Sequence, residues 1–301
     1  MKTKSVTLRI PASTSNLGSG FDVLGMALTL YNELEVEMGH PAPPGSCVVH
    51  VEGEGAETLP KDKTNEIVKV LRRHCGDFNL RVRMKNAIPV ARGLGSSAAA
   101  RVAALMIAAA IYEHEDEWVV EQACELEGHP DNVVPAFHGG LRLSLHDGDR
   151  LVQVPLREPK DLAVVVCVPE FELSTEKARA VLPEKVKRSD AVFTSARVGL
   201  MVHAFEKRAY HHLRTAMQDV LHQPYRRPLI PGLRHVIDGA YKAGAFGAAL
   251  SGAGPCVLAL SPKAKAPTVG RAMQKAFLQW RSESRALVLG IDTQGAKAKR
   301  L

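Results

Sequence analysis

The sequence predicts an α+β protein built from two domains. Strand-like and helix-like segments follow one another without the steady strand–helix–strand rhythm of a doubly wound sheet. The chain has 301 residues, 46% of them hydrophobic and 24% charged, which suits one large or two ordinary globular domains. A polar segment between His146 and Asp161, with Pro155 and Pro159, indicates a boundary. We therefore expect an N-terminal domain over residues 1–155 and a C-terminal domain over residues 156–301.

The N-terminal half alternates between short strands and longer helical segments. The predicted strands are Val6–Ile10, Leu34–Met38, Cys47–Val51, Leu80–Met84 and Leu141–Leu145. The predicted helices are Asn65–Cys75, Ser96–Tyr112 and Glu117–Glu127. The segment from Ser96 is apolar on all faces, which predicts a buried helix. A small-residue loop is expected from Ser13 to Gly20, and a turn in the Pro/Gly-rich stretch over residues 39–45.

The C-terminal half begins with a continuous apolar strand and continues with mixed elements. The predicted strands are Leu162–Val168, Gly247–Leu250, Cys256–Leu260 and Ala286–Gly290. Helices are expected over residues 174–182, 190–222, 233–243 and 265–279. The basic tail Lys297–Arg300 is expected to fray.

Charge and aromatic content narrow the classes of partner. The net charge of +7 suits either a nucleic acid or an anionic small molecule. Aromatic residues make up only 5% of the chain and do not interleave with the basic clusters, as stacking on single strands requires. We therefore expect an anionic small-molecule ligand and no nucleic acid.

Cysteine spacing and apolar runs indicate the compartment. The five cysteines are scattered and never spaced as C-x-x-C, which argues against disulfides or a thiolate zinc site and for a reducing environment. The longest apolar run, Ala98–Ile111, is interrupted by Arg101 and is too short to span a bilayer. No signal-peptide core follows the basic N-terminus. A cytoplasmic enzyme without a membrane partner is the expectation.

The strongest chemical signal is the glycine- and serine-rich segment before the apolar helix, Pro89-Val90-Ala91-Arg92-Gly93-Leu94-Gly95-Ser96-Ser97-Ala98-Ala99. Glycines allow close approach of a ligand, and serines at a helix N-terminus add hydroxyls to unpaired N–H groups at the positive end of the dipole. Taken alone, the segment could equally be a serine-capped helix after a glycine turn. It is neither a Walker A loop, because no Gly-Lys-Ser/Thr follows, nor a dinucleotide fingerprint.

Two further loops combine small and polar residues. One runs from Pro11 to Asp22 and reads P-A-S-T-S-N-L-G-S-G-F-D; the other, G-A-A-L-S-G-A-G-P, ends at Pro255. Alone, the second could be a hairpin turn, and Asp22 a helix cap. Together with the Pro89–Ala99 segment, they resemble the three motifs of the GHMP kinases, the superfamily named for galactokinase, homoserine kinase, mevalonate kinase and phosphomevalonate kinase. The motifs occur in the family's order from residue 11 to residue 255.

The resemblance implies a fold and a nucleotide site. The expected N-terminal domain is like domain 2 of ribosomal protein S5, the C-terminal domain is ferredoxin-like, and the active site lies between them. ATP would be bound with Mg²⁺. Asn65 matches a position near the adenine, and the residues matching the phosphate loop are Pro89, Val90, Ala91, Arg92, Gly93, Leu94, Gly95, Ser96, Ser97, Ala98 and Ala99. Ser97 and Glu125 match the metal ligands, with Glu127 as the alternative to Glu125.

Four more segments are similar to the homoserine kinases within that superfamily. They are Asn16–Asp22, Glu127–Val133, Ser174–Arg179 and Pro224–Gly232. This similarity implies L-homoserine as substrate, a place in threonine biosynthesis and a homodimer. The matching substrate positions are Asn16, Asp22, His129, Asn132, Arg179 and Arg226, of which Asn16, Asp22 and Asn132 would act in catalysis. Ser19 and Cys256 depart from the usual residues, and neither removes a group assigned to the chemistry.

The residue types suit an amino-acid substrate. A carboxylate can bind the ammonium and an arginine can bind the carboxylate with two hydrogen bonds, although by themselves both arginines could be solvated surface charges. Asn132 is an amide that cannot accept a proton at neutral pH, so we expect no clear protein base and a hydroxyl oriented by Asn132. A mevalonate-type alcohol would leave Asp22 without a partner. A non-catalytic relative is the remaining alternative, against which the intact serines and Glu125 argue.

Overall fold

A computed structural model describes residues 4–39 and 45–300, in which two β-sheets are covered by helices. The first sheet has seven strands: β1 (Lys4–Asn16), β2 (Gly20–Met38), β3 (Cys47–Gly53), β4 (Leu80–Asn86), β5 (Leu141–Asp147), β6 (Arg150–Leu156) and β11 (Lys297–Arg300). The strand order is β11-β1-β2-β4-β3, and the β5–β6 hairpin pairs with the N-terminal part of β2. The predicted turn over residues 39–45 lies mostly outside the described residues.

The second sheet has four antiparallel strands in the order β10-β7-β9-β8. These are β7 (Leu162–Pro169), β8 (Gly247–Leu250), β9 (Val257–Pro262) and β10 (Ser284–Leu289). Strand β7 is buried along its whole length, as its continuous apolar run predicts. The change from one sheet to the other falls between Leu156 and Leu162, although the final strand returns to the first sheet. The division at residues 155 and 156 stays a prediction.

The helices lie against both sheets. They are α1 (Glu66–Cys75), α2 (Ser96–Tyr112), α3 (Asp116–Glu127), α4 (Val133–His138), α5 (Thr175–Ala180), α6 (Arg188–Glu206), α7 (Leu213–Ala216), α8 (Gln223–Arg226), α9 (Leu233–Lys242) and α10 (Ala266–Leu278). Helix α2 is the centre of the first layer: α1, α3, α4 and β1 all pack on it, and its alanines allow that close approach. The predicted bounds of α2 are confirmed.

Several predicted loops are strands. The expected loop from Ser13 to Gly20 is a strand as far as Asn16, because its residues pair with β2. Ser15, for example, lies opposite Gly25 of β2. The expected polar linker contains β6, which pairs with β5. The basic tail is not frayed, since Lys297–Arg300 pairs with β1. In the tail the cause is pairing with a distant segment, because such pairing leaves little trace in the local sequence. In the other two cases the partner is the next strand, and the small or polar residues indicated a loop instead.

The predicted helix over residues 190–222 is wrong in its second half. Helix α6 ends at Glu206, and Arg208 has a φ of 53°, a left-handed conformation that stops the helix. The chain continues in short helices, of which α8 carries Arg226. Across residues 4–39 and 45–300, none of the helices combines the length and apolarity that crossing a bilayer requires.

Candidate active site

The first part of the site is the N-terminus of α2. Gly95 precedes the helix with a φ of 70°. The first N–H groups of a helix have no intrahelical acceptor, and here Gly95 offers no side chain to cap them. A Cβ on Gly95 would lie 2.1 Å from Ser13 Oγ, and one on Gly93 would lie 2.1 Å from the Ser251 carbonyl oxygen. Glycine is therefore needed at both positions, where the loop touches β1 and the β8–β9 turn. The result is an uncapped helix end that faces a cleft.

The predicted phosphate loop divides between cleft and core. Ala91, Gly93, Gly95, Ser96 and Ser97 line the cleft. The side chains of Leu94, Ala98 and Ala99 are instead buried in the core, so only their backbones can meet a ligand.

Arg92 lines the cleft as well, and its side chain holds the loop in place. Its guanidinium donates to the carbonyl oxygens of Pro169 (3.0 Å), Val90 (3.0 Å) and Glu170 and pairs with Glu172 (3.1 Å). Arg92 therefore ties the loop to the end of β7, and its charge is already committed to these partners.

A second cavity adjoins the first at the start of α2. The two share Ala91, Ser96, Ser97 and Thr175, so a ligand could extend from one into the other. Asn65 lines the second cavity, where its side chain caps α1 by accepting from the Ile67 N–H (3.1 Å). Apolar side chains of the same cavity include Leu59, Ile67 and Met84.

Glu127 rather than Glu125 stands beside the serines of α2. Ser97 Oγ donates to Glu127 Oε2 (3.1 Å), and Arg101 pairs with the same carboxylate. Glu125 is exposed and accepts from Gln122 Nε2 (3.3 Å). Residues two apart on a helix point in different directions, and of the two carboxylates Glu127, the alternative to Glu125, is the one that lines the cleft. The identity of the metal ligand stays a prediction, and this position favours Glu127.

All six predicted substrate residues line one cavity: Asn16, Asp22, His129, Asn132, Arg179 and Arg226. Asn132 lies at the start of α4, and its amide orientation is set by β1. Ser13 Oγ donates to Asn132 Oδ1 (2.9 Å), and Asn132 Nδ2 donates to Ser15 Oγ (2.9 Å). The serines of the first loop therefore orient the amide.

Asp22 forms an ion pair with Arg179 across the cleft. The guanidinium donates to both carboxylate oxygens, at 2.7 and 3.1 Å. Asp22 has a φ of 57°, and its N–H donates to Asn16 Oδ1 (3.0 Å), which holds the turn in this conformation. Asn16 Nδ2 donates to the Gly252 carbonyl (3.0 Å), so the same turn is anchored to the β8–β9 loop.

Arg226 is a buried cation without a carboxylate partner among the described residues. It is 1% exposed, and its guanidinium donates to the carbonyl oxygens of Ala178 (3.1 Å) and Gly252 (3.1 Å). Burial, together with the nearby charge of Arg179, lowers the pKa of Arg226 to about 10. At neutral pH the group is still charged, and it faces the cavity.

Asp131 was missed by the sequence analysis. It is 1% exposed, lines the cavity and pairs with Nδ1 of His129. Burial by itself lowers the pKa of His129, but the hydrogen bond and charge of Asp131 outweigh it, so the pKa lies above the ordinary value. The only signal was its place between His129 and Asn132. Asp22, His129 and Asp131 bring their polar atoms within 4.8 Å of one another, so two carboxylates lie close together at this end of the cavity.

Two family models match the chain. They are the N-terminal domain of GHMP kinases over residues 62–140 and the C-terminal domain of GHMP kinases over residues 201–279. The homoserine kinase of Carboxydothermus hydrogenoformans is 44% identical, over 97% of this chain and 96% of the relative. The chain belongs to the homoserine kinase family of GHMP kinases. A second homoserine kinase, from Persephonella marina, is 40% identical over 97% of this chain and 98% of the relative.

Solved structures of GHMP kinases share the architecture. The crystal structure of homoserine kinase from Cytophaga hutchinsonii has a TM-score of 0.85 at 30% identity and covers 98% of this chain and 97% of that one. L. major mevalonate kinase in complex with R-mevalonate has a TM-score of 0.70 at 19% identity, with 95% and 96% covered, and is similar in fold alone. The predicted α+β GHMP kinase fold is confirmed.

Proposed function

We propose that this protein transfers the γ-phosphoryl group of ATP to the side-chain hydroxyl of L-homoserine, giving O-phospho-L-homoserine and ADP. The observation that most strongly supports this substrate is the position of Arg226. It is a buried guanidinium that lacks a carboxylate partner among the described residues and faces the same cavity as Asp22. A buried charge without a counter-ion is costly, so its place in the cavity wall favours an anionic ligand. The curated relatives named homoserine kinase support the same substrate.

The cavity fits both charges of an amino acid. In the free protein Asp22 and Arg179 bind each other. A bound zwitterion would offer its ammonium to Asp22 and Asp131 and its carboxylate to Arg226 and Arg179, replacing one ion pair by two. A mevalonate-type acid has no ammonium, so it would bring no positive charge to Asp22 and Asp131. These charges therefore favour an α-amino acid over other small alcohols.

ATP would lie across the two adjoining cavities. The uncapped N-terminus of α2 suits the phosphates, and the more apolar second cavity beside Asn65 suits the adenine. Ser97 and Glu127 supply the oxygen ligands that Mg²⁺ prefers, and their 3.1 Å separation fits a shared cation. When bound, Mg²⁺ would neutralise phosphate charge.

The chain's own contribution is positioning. Asn132, oriented by Ser13 and Ser15, would hold the hydroxyl in line with the γ-phosphate. The amide cannot take the proton, and the Asp131 carboxylate would be held by His129 and by the substrate ammonium. The hydroxyl proton would therefore leave late in the transfer, to a phosphate oxygen. We therefore still expect that no protein side chain acts as the general base.

Three wider expectations accompany the proposal. The reaction would serve threonine biosynthesis, and the five free cysteines agree with the reducing cytoplasm expected for it. A homodimer stays a prediction.

The test is coupled measurement of ADP release with L-homoserine, L-serine, L-threonine and R-mevalonate, with and without Mg²⁺. We expect Mg²⁺-dependent turnover that is fastest with L-homoserine, and ³¹P NMR should identify the phosphomonoester. Turnover with R-mevalonate but not with L-homoserine would reassign the substrate. An absence of turnover with every alcohol would contradict the kinase proposal.

A further inference from the structure

His222 lies directly behind Arg226 and is outside the predicted set of site residues. It precedes α8, is fully buried and does not line the cavity itself. Its ring stacks on Phe21, with centroids 5.0 Å apart and planes 20° apart. Phe21 also lies under the Arg226 guanidinium, 5.4 Å from the ring centroid. The three side chains form a stacked group at the base of the carboxylate end of the cavity.

The partners of His222 determine its tautomer. Nε2 is 2.8 Å from the carbonyl oxygen of Gly18, which can only accept, so Nε2 carries the hydrogen and donates it. Nδ1 is 3.2 Å from Nη1 of Arg226, which can only donate, so Nδ1 carries the lone pair. The ring is therefore neutral. Burial lowers the pKa of His222 below its ordinary value, with Arg226 adding to the effect against the opposing charge of Asp219.

The backbone around His222 is held in place by Asp219. Its carboxylate accepts from the N–H groups of Leu221 (2.8 Å), His222 (3.0 Å) and Gln223 (2.6 Å), which fixes the turn that leads into α8. The ring thus stands on a rigid turn. From there it reaches Arg226 one helical turn later and Gly18 in the turn between β1 and β2.

The Gly18 turn carries the other half of the substrate site. Asn16, Leu17, Gly18 and Asp22 all have positive φ values, so this conformation depends on contacts from outside the turn. Among the described residues, the contacts from the C-terminal half include Met217 against Gly18, Ala216 accepting from Ser19 Oγ (2.8 Å), and His222. His222 is the residue among these that also contacts Arg226.

We propose that His222 is a positioning residue that sets the separation between Asp22 and Arg226, and so fits the cavity to the ammonium and carboxylate of an α-amino acid. This inference rests on the proposed function, because it assigns Asp22 to the substrate ammonium and Arg226 to the substrate carboxylate. His222 does not touch the substrate. It acts by holding Arg226 Nη1 and by fixing the carbonyl of Gly18, while the guanidinium of Arg226 lines the cavity.

Three substitutions separate the two hydrogen bonds. His222→Leu keeps approximate volume and removes both. His222→Gln can still donate to the Gly18 carbonyl, while His222→Asn can place its amide oxygen near the Nδ1 position and still accept from Arg226. We expect the KM for L-homoserine to rise about tenfold in the Leu and Gln variants, equivalent to about 1.4 kcal/mol, and clearly less in the Asn variant. The KM for ATP should be unchanged, and kcat should change by less than about threefold.

Thermal unfolding of each variant, with His235→Leu as an exposed histidine control, separates positioning from packing. If the KM for L-homoserine rises in step with the loss of thermal stability across the three variants, and the Asn variant has no lower KM than the Gln variant, the positioning role of His222 is contradicted. Wild-type enzyme that fails to phosphorylate L-homoserine would instead contradict the proposed function. A wild-type enzyme that works while all His222 variants keep its KM overturns this inference alone.

A measurement on the wild-type protein does not depend on the variants folding. In ¹⁵N-labelled enzyme, the long-range imidazole correlations of His222 should show Nε2 protonated and Nδ1 unprotonated at about pH 7. The same pattern should persist when L-homoserine is added. A ring protonated on Nδ1, in either state, would break the contact with Arg226 and refute the proposal.

Discussion

Glu127 and Glu125 offer a direct test of the proposed Mg²⁺ site, because they lie two residues apart on α3 and differ in what they face. Glu127 is 9% exposed at its side chain, contacts Ser97 Oγ at 3.1 Å and faces the cleft, whereas Glu125 is exposed. Replacing each by glutamine removes one negative charge at nearly constant shape. We expect Glu127→Gln to weaken Mg²⁺-supported activity strongly and Glu125→Gln to leave it unchanged.

The size of the Glu127 effect follows from its surroundings. Two unit charges about 4 Å apart interact by about 4 kcal/mol at an effective dielectric of about 20, and the Mg²⁺ charge is double. Dehydration of the ion and competition from Arg101, which pairs with the same carboxylate, oppose this gain. We take a net loss of about 2–3 kcal/mol, equivalent to roughly 30- to 150-fold more Mg²⁺ for half-maximal activity.

The assay is ADP release at saturating L-homoserine and ATP, titrated with Mg²⁺ for the wild type and both variants. Because Glu127→Gln also removes the partner of Arg101, thermal unfolding must accompany it, and Glu66 leaves Arg101 a second partner at 2.9 Å. A raised Mg²⁺ requirement in Glu125→Gln, together with a wild-type response in Glu127→Gln, would refute the assignment.

Three further perturbations have defined outcomes. Gly95→Ala combines a φ of 70° with a Cβ only 2.1 Å from Ser13 Oγ, so urea unfolding should show a loss of about 1–3 kcal/mol, and ATP turnover should fall. Asp22→Asn should raise the KM for L-homoserine by at least about tenfold while the KM for ATP stays unchanged; an unaltered KM for L-homoserine would contradict its role with the ammonium. His129 has a raised pKa in the folded protein, so its pairing with Asp131 stabilises the fold fully below the unfolded pKa of about 6.5, and this contribution is lost as pH rises through the folded pKa. The difference in melting temperature between wild type and His129→Gln should therefore shrink as the pH rises through the folded pKa of His129. A difference that grows over this pH range would contradict the stabilising role of the pair.

Local chemistry was sufficient for the elements whose signals are continuous in sequence. Helix α2 begins and ends where its composition predicts, because a glycine turn precedes it and its apolar residues leave no ambiguity. Strand β7 was predicted from its apolar run. Strands β6 and β11 were not: β6 contains the polar residues and the proline that indicated a linker, and β11 depends on a partner far away in the chain, β1.

The same limit applied within the site. The sequence alone determined the family, because it depends on motifs whose order and chemistry can be read directly. From the same motifs it predicts the phosphate loop and the types of residue that would meet an amino acid. Only the tertiary structure decided that Glu127 and not Glu125 faces the cleft, since that depends on how α3 is rotated against α2. The same is true of the buried charge of Arg226, which is held by carbonyl oxygens from two other segments, and of His222 behind it. Burial and direction are properties of packed segments, and no single stretch of sequence contains them.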